Sequence, residues 1–127
     1  MLVVGANLAV DRTLRMHRLE PGAVQRPYRA SATAGGKAVN VCRAATALGV
    51  RPRLVANLPG RAGALIGDLL DEEGHDVRRV PTAGEARAAM IILEDSGRAT
   101  VINEPGPELS GADLAAFVAN GHNPGSG

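Results

Sequence analysis

Apolar and polar positions alternate along this chain with two periods, and the periods take turns. Leu2 to Ala6 is an unbroken apolar run, the pattern of a strand buried on both faces. From Thr13 to Arg18 the period drops to two, with Leu14 and Met16 on one side and Arg15 and His17 on the other, which predicts a half-exposed strand. Pro21-Gly22 marks a turn, and Arg26 to Thr33 reads as a second strand of mixed polarity, weakened by Pro27. After Ala34-Gly35-Gly36 the period lengthens. Ala38, Val41, Cys42, Ala45 and Leu48 recur at helical spacing, so a helix is expected over 38–48 with Gly49 as its stop. Arg53 to Asn57 is a short strand. Ala62 to Glu73 is a second helix with Leu65, Ile66, Leu69 and Leu70 inward and Gly74 as its stop, and Asp76 to Val80 is a strand again. Arg87 to Glu94 and Ala99 to Asn103 flank Asp95-Ser96-Gly97, a hairpin signal. Ser110 and Asp113 are placed to cap a third helix whose apolar face is Leu114, Phe117 and Val118.

Strands alternating with helices predict an α/β fold with a mostly parallel sheet. The two half-polar strand pairs, near 13–33 and 87–103, do not suit such a sheet and are expected to form a separate flap at its edge. Residues 1–119 read as one folded unit. The last eight, 120–127, have no periodicity and read as a disordered or non-native tail.

Composition narrows the picture. Aromatics are 2% of 127 residues, so the core must be built from Ala, Val, Leu and Ile. Lys plus Arg number 14 against 13 Asp plus Glu, a balance that argues against nucleic acid as a partner. No apolar run approaches the roughly 18 residues of a membrane span, and the brief apolar start meets Asp11-Arg12 at once, unlike a signal peptide. A cytoplasmic location is expected. A single cysteine, Cys42, excludes an internal disulfide and reads as core. His17, His75 and His122 share no ligand spacing, so no metal site is expected.

The strongest local chemistry is Gly35-Gly36-Lys37-Ala38-Val39-Asn40. Two glycines allow close backbone approach, a helix N-terminus offers unpaired N–H groups, Lys37 adds charge and Asn40 can hydrogen-bond a hydroxyl. This suits a polyol or an anion, and equally a plain strand-to-helix turn with a solvated lysine. The stretch is not a P-loop, because Ala38 stands where Ser or Thr is needed, and it is not a dinucleotide fingerprint. Asp11 is placed just past the C-terminal end of the first strand, where ligands bind in open parallel sheets; it also reads as a surface acid beside Arg12. Arg87 can clamp a phosphate or stay a solvated edge charge, and Glu104 is a further candidate of the same kind.

Four segments in order carry a resemblance. Ala6-Asn7-Leu8-Ala9-Val10-Asp11-Arg12-Thr13, Ala34-Gly35-Gly36-Lys37-Ala38-Val39-Asn40-Val41-Cys42-Arg43-Ala44, Gly84-Glu85-Ala86-Arg87 and Ile102-Asn103-Glu104-Pro105-Gly106-Pro107-Glu108 together resemble the ribokinase/PfkB family of carbohydrate kinases. The likeness is to its 1-phosphofructokinase and tagatose-6-phosphate kinase branch. It implies the N-terminal half of a ribokinase-like fold, with the flap as a β-sheet lid over a sugar site. Asp11 would bind sugar hydroxyls, Gly35 and Gly36 would line the sugar by backbone, Asn40 would hydrogen-bond it, and Lys37 and Arg87 would face the phosphate of a sugar-phosphate substrate. It implies ATP and Mg2+ as cofactors of the full-length family. The catalytic aspartate and ATP site are expected in a C-terminal half that these residues do not contain, so this chain alone is expected to be inactive and to bind neither cofactor. It implies a homodimer through the lid. A non-catalytic sugar-phosphate-binding module and an inert remnant stay open beside the kinase. Leu8, Ala38, Ala89 and Pro59-Gly60 depart from the family pattern.

Overall fold

A computed structural model of the chain describes residues 1–107 together with Ala115, Phe117 and Ala119. The elements in chain order are β1 (Leu2–Gly5), β2 (Ala9–Met16), β3 (Arg29–Gly35), α1 (Lys37–Ala47), β4 (Arg53–Asn57), α2 (Gly60–Glu72), β5 (Asp76–Val80), β6 (Arg87–Glu94) and β7 (Ala99–Asn103).

β1, β4 and β5 form a parallel sheet with β4 in the middle. Both faces of β4 are covered. Leu54 and Ala56 meet Val39 and Cys42 of α1 and Ile66 and Leu70 of α2 in one buried cluster. Val55, pointing the other way, is buried with Val80 and Phe117. Helices α1 and α2 against one face of a parallel sheet fit the α/β architecture expected. Cys42 belongs to this core, and its burial pushes the thiol above its ordinary range.

Three details depart from the periodicity. β1 lies at the edge of the three-stranded sheet, so Leu2 and Val4 are exposed where burial on both faces was expected. In α1, Val39 is buried while Val41 and Leu48 are exposed. The helix has alanines on several sides, so small apolar contrast set the face wrongly. In α2, Ile66 and Leu70 point inward as expected but Leu65 is exposed, its place in the packing being taken by the buried Gly63 and Gly67.

The half-polar strands form a second sheet, in the order β3-β2-β6-β7. The two expected pairs are antiparallel, and they are joined into one sheet by β2 and β6, which run parallel with Ala9 opposite Arg87. β2 begins at Ala9 rather than Thr13, and β3 runs Arg29–Gly35 rather than Arg26–Thr33. The root of this lid is part of the main core: Val10, Ala34 and Ala86 cluster with Ile66 and Leu70. Its tip is held by polar groups. The buried Glu94 takes Nε and Nη2 of Arg98 at 3.0 and 2.7 Å and the Leu19 amide at 3.1 Å. Asp95 accepts the Tyr28 hydroxyl at 2.9 Å and lies 2.6 Å from His17 Nδ1. The caps Ser110 and Asp113, the residues Leu114 and Val118, and the tail 120–127 lie outside the described residues.

Candidate functional site

β3 ends at Gly35 and α1 begins at Lys37, so Gly36 alone makes the corner. Its φ of 119° lies in the region that favours glycine. Gly36 caps α1 without a side-chain hydrogen bond, and the first turn holds no acid, so the helix N-terminus keeps its positive character. Gly35 is needed for another reason. A Cβ on it would fall onto the Asp11 carboxylate, which lies directly against the Gly35 backbone.

Asp11 is not at the tip of β1. It is the third residue of β2, opposite Thr33 of β3 and Ala89 of β6. The base of β2 is covered on both sides, Ala9 and Val10 both being buried, and this hides the alternation that would have marked the strand start. By strand parity Asp11, Gly35 and Arg87 share one face of the lid, since Ala9 is opposite both Gly35 and Arg87. Partial burial raises the Asp11 carboxyl above the ordinary aspartate range, and the charges of Arg87 and Arg43 pull it back.

Arg87 opens β6, and its Nε donates to the Asn7 carbonyl at 3.3 Å. Its strand is anchored just upstream. The Glu85 carboxylate accepts the first α2 amides, Arg61 and Ala62, at 3.0 Å each, and the Ala86 amide donates to Pro59 O at 2.9 Å. Those amides hold the Glu85 carboxyl below its ordinary range. Glu104, a binding candidate in the sequence, accepts the Ala88 amide at 2.7 Å and returns its own amide to Ala88 O at 3.0 Å, which ties it to the start of β6.

A cavity of about 330 Å³ opens beside the corner, lined by Val4 to Leu8, Lys37, Ala38 and Arg87. Among the described residues, Lys37 and Arg87 are the charged ones in this lining. The Ala38 methyl, absent from the family pattern, lies against Gly5 and narrows the floor. Asp11 and Asn40 are not in the lining. Asp11 lies within the field of Arg87 and Arg43, and Asn40 Oδ1 accepts from Arg43 at 3.2 Å. The structure thus brings Lys37 and Arg87 to one cavity and Asp11 to Gly35, while Asn40 is linked to this region through Arg43. The cavity can hold an anion against two cations beside a helix N-terminus, and the Asp11 carboxylate can accept hydrogen bonds from hydroxyls.

Two residues of this region are not among the site candidates the sequence offers. Asn57, buried at the end of β4, donates to Ala6 O at 3.2 Å and accepts the Thr82 hydroxyl at 2.6 Å, which pins the loop that floors the cavity. Arg43 binds Ala34 O, Asn40 and Glu73. Ala6 and Thr82 lie far from Asn57 along the chain, and Glu73 lies far from Arg43, so no short window of sequence contains these pairs.

The family model for pfkB family carbohydrate kinases matches residues 1–120. A 1-phosphofructokinase of Haloferax volcanii is 33% identical over 119 residues, covering 93% of this chain and 39% of its own length. A 1-phosphofructokinase of Vibrio cholerae is 29% identical, with 94% and 38% covered. Among solved structures, a possible 1-phosphofructokinase of Thermotoga maritima superposes with a TM-score of 0.82 at 26% identity, covering 93% of this chain and 39% of that one. Phosphofructokinase-2 of Escherichia coli in complex with fructose-6-phosphate superposes with a TM-score of 0.85 over 92% of this chain and 39% of that one, and at 20% identity this likeness concerns the fold alone. The chain spans less than two fifths of the length of the curated relatives it matches.

Proposed function

The chain belongs to the pfkB family of carbohydrate kinases, and from that premise we propose that its residues form the sugar-phosphate-binding part of an ATP-dependent kinase of ketohexose phosphates. The substrate is fructose 1-phosphate or tagatose 6-phosphate, and the reaction moves the γ-phosphoryl group of ATP to a sugar hydroxyl. The observation that carries this reading is the pairing of Lys37 and Arg87 around one cavity at the diglycine corner. Two cations beside an uncapped helix N-terminus suit a phosphate the substrate already bears. Asp11 accepts sugar hydroxyls, Gly35 and Gly36 let the ring approach the backbone, and Asn40 hydrogen-bonds it. ATP and Mg2+ belong to the reaction of the longer proteins. Because the chain spans less than two fifths of the length of the curated relatives it matches, the 127 residues alone are proposed to give no turnover. No helix among the described residues is long and apolar enough to cross a membrane.

Melting the purified chain with and without each sugar phosphate tests the site. A ligand that binds only the native state raises Tm. Fructose 1-phosphate or tagatose 6-phosphate should raise it, and Asp11→Ala and Arg87→Ala should each remove the rise. A rise that survives both substitutions would place the ligand elsewhere. ADP formation by the 127-residue chain would contradict the proposed lack of turnover.

A further inference from the structure

Arg43 lies on α1 three residues after Asn40 and was assigned no ligand. It is half-buried and makes four hydrogen bonds. Nη2 donates to Ala34 O at 2.7 Å and to Glu73 Oε1 at 2.6 Å, Nε donates to Glu73 Oε2 at 3.1 Å, and Nη1 donates to Asn40 Oδ1 at 3.2 Å. The Glu73 end is a bidentate fork, the geometry that holds a guanidinium most firmly. Glu73 is in turn 2.8 Å from His75 Nε2, and Arg43 holds its carboxyl below the ordinary range. The guanidinium is thereby fixed from the C-terminal end of α2, at its far side from the corner.

What it fixes on the near side is informative. Ala34 O is the last carbonyl before the diglycine pair, so Arg43 anchors the turn at its entry. Asn40 is the more telling partner. A guanidinium has five donors and no acceptor, so the amide atom it meets has to be oxygen. The exposed Asn40 amide therefore has its oxygen turned to Arg43, with one lone pair engaged, and keeps both Nδ2 N–H donors for whatever binds.

We infer that Arg43 is a positioning residue of the carbohydrate site, orienting Asn40 so that the site offers a hydrogen-bond donor at this position and takes an acceptor oxygen of the ligand there. This rests on the reading of Asn40 as a sugar-binding residue.

The test is calorimetric titration of the chain with fructose 1-phosphate and with tagatose 6-phosphate. Asn40→Ala should weaken binding about tenfold, the size of one lost hydrogen bond of about 1.4 kcal/mol. Arg43→Lys keeps the charge and loses the fork; it should weaken binding to a similar degree, and the Arg43→Lys/Asn40→Ala double variant should bind no worse than Asn40→Ala alone. Losses that multiply instead would mean that Arg43 acts on the fold generally and would overturn the inference. Asn40→Asp keeps a partner for Arg43 but removes both donors, so it should bind at least as weakly as Asn40→Ala. Binding by Asn40→Asp at the wild-type level overturns the inference by itself, and it decides the matter should Arg43→Lys fail to fold. If neither sugar phosphate binds the unmodified chain, the carbohydrate site fails and the inference falls with it, an outcome distinct from normal binding with multiplying losses.

Discussion

The Asp11 carboxyl is caught between burial, which raises its pKa, and the guanidinium charges of Arg87 and Arg43, which lower it, with burial the largest of the three. Because the folded value lies above that of the unfolded chain, the native state binds this proton more tightly. Asp11 therefore contributes least to stability when ionised: its contribution declines as pH rises from the ordinary aspartate range through the raised value. Binding runs the other way, since only the carboxylate accepts two hydroxyls. Sugar-phosphate affinity should fall as pH is lowered through the raised Asp11 value. Removing a nearby cation should move that fall to higher pH, so Arg87→Lys is expected to keep the midpoint and Arg87→Gln to raise it; titrations across the acid limb check this. Gly35→Ala offers a second check. Its Cβ displaces the carboxylate, which should weaken binding at least about tenfold and cost ~1–3 kcal/mol by urea unfolding. A variant that binds normally would show that Asp11 is not required where it stands.

Elements were legible to different depths. The β6–β7 hairpin has the expected bounds because its alternation and its Asp-Ser-Gly turn are both local. The start of β2 was hidden because the root of the lid is covered on both faces, which erases the period-two signal over Ala9 and Val10. The inward face of α1 was misjudged because an alanine-rich helix has little contrast to read. Of the site, the diglycine corner and its lysine are visible as a motif, whereas the contacts of Asn57 with Ala6 and Thr82 and the fork of Arg43 on Glu73 join residues that only folding brings near. Asn57→Ala should cost about 1–3 kcal/mol, since it leaves the Thr82 hydroxyl and Ala6 carbonyl without their buried partner. It should also broaden the amide resonances of the Ala6–Leu8 loop. Unchanged denaturation and spectra would mean that the loop is held by other contacts.

At the scale of the whole molecule, the second sheet ends in two open edges, β3 and β7, and β7 presents Val101 and Ile102 largely exposed. Exposed apolar side chains on an edge strand invite a partner. A homodimer through the lid is therefore proposed, and Val101→Glu should convert it to a monomer in sedimentation velocity. A dimer that survives this substitution would place the interface on another surface. The open edge of β1, with Leu2 and Val4 exposed, is a separate apolar surface on the main sheet.

The parallel pairing of β2 with β6 has a bearing on how the molecule comes into being. Ala9 cannot meet Arg87 until everything between them has been synthesised and folded out of the way. Until then β2 and β3 are a lone ribbon, which is marginal in water. Closing so long a loop is slow compared with forming the helices. The half of the site on α1 is thus in place early, whereas Arg87 arrives late, and any pause or mutation that delays β6 leaves a nascent chain with an unpaired β2 edge exposed to other chains.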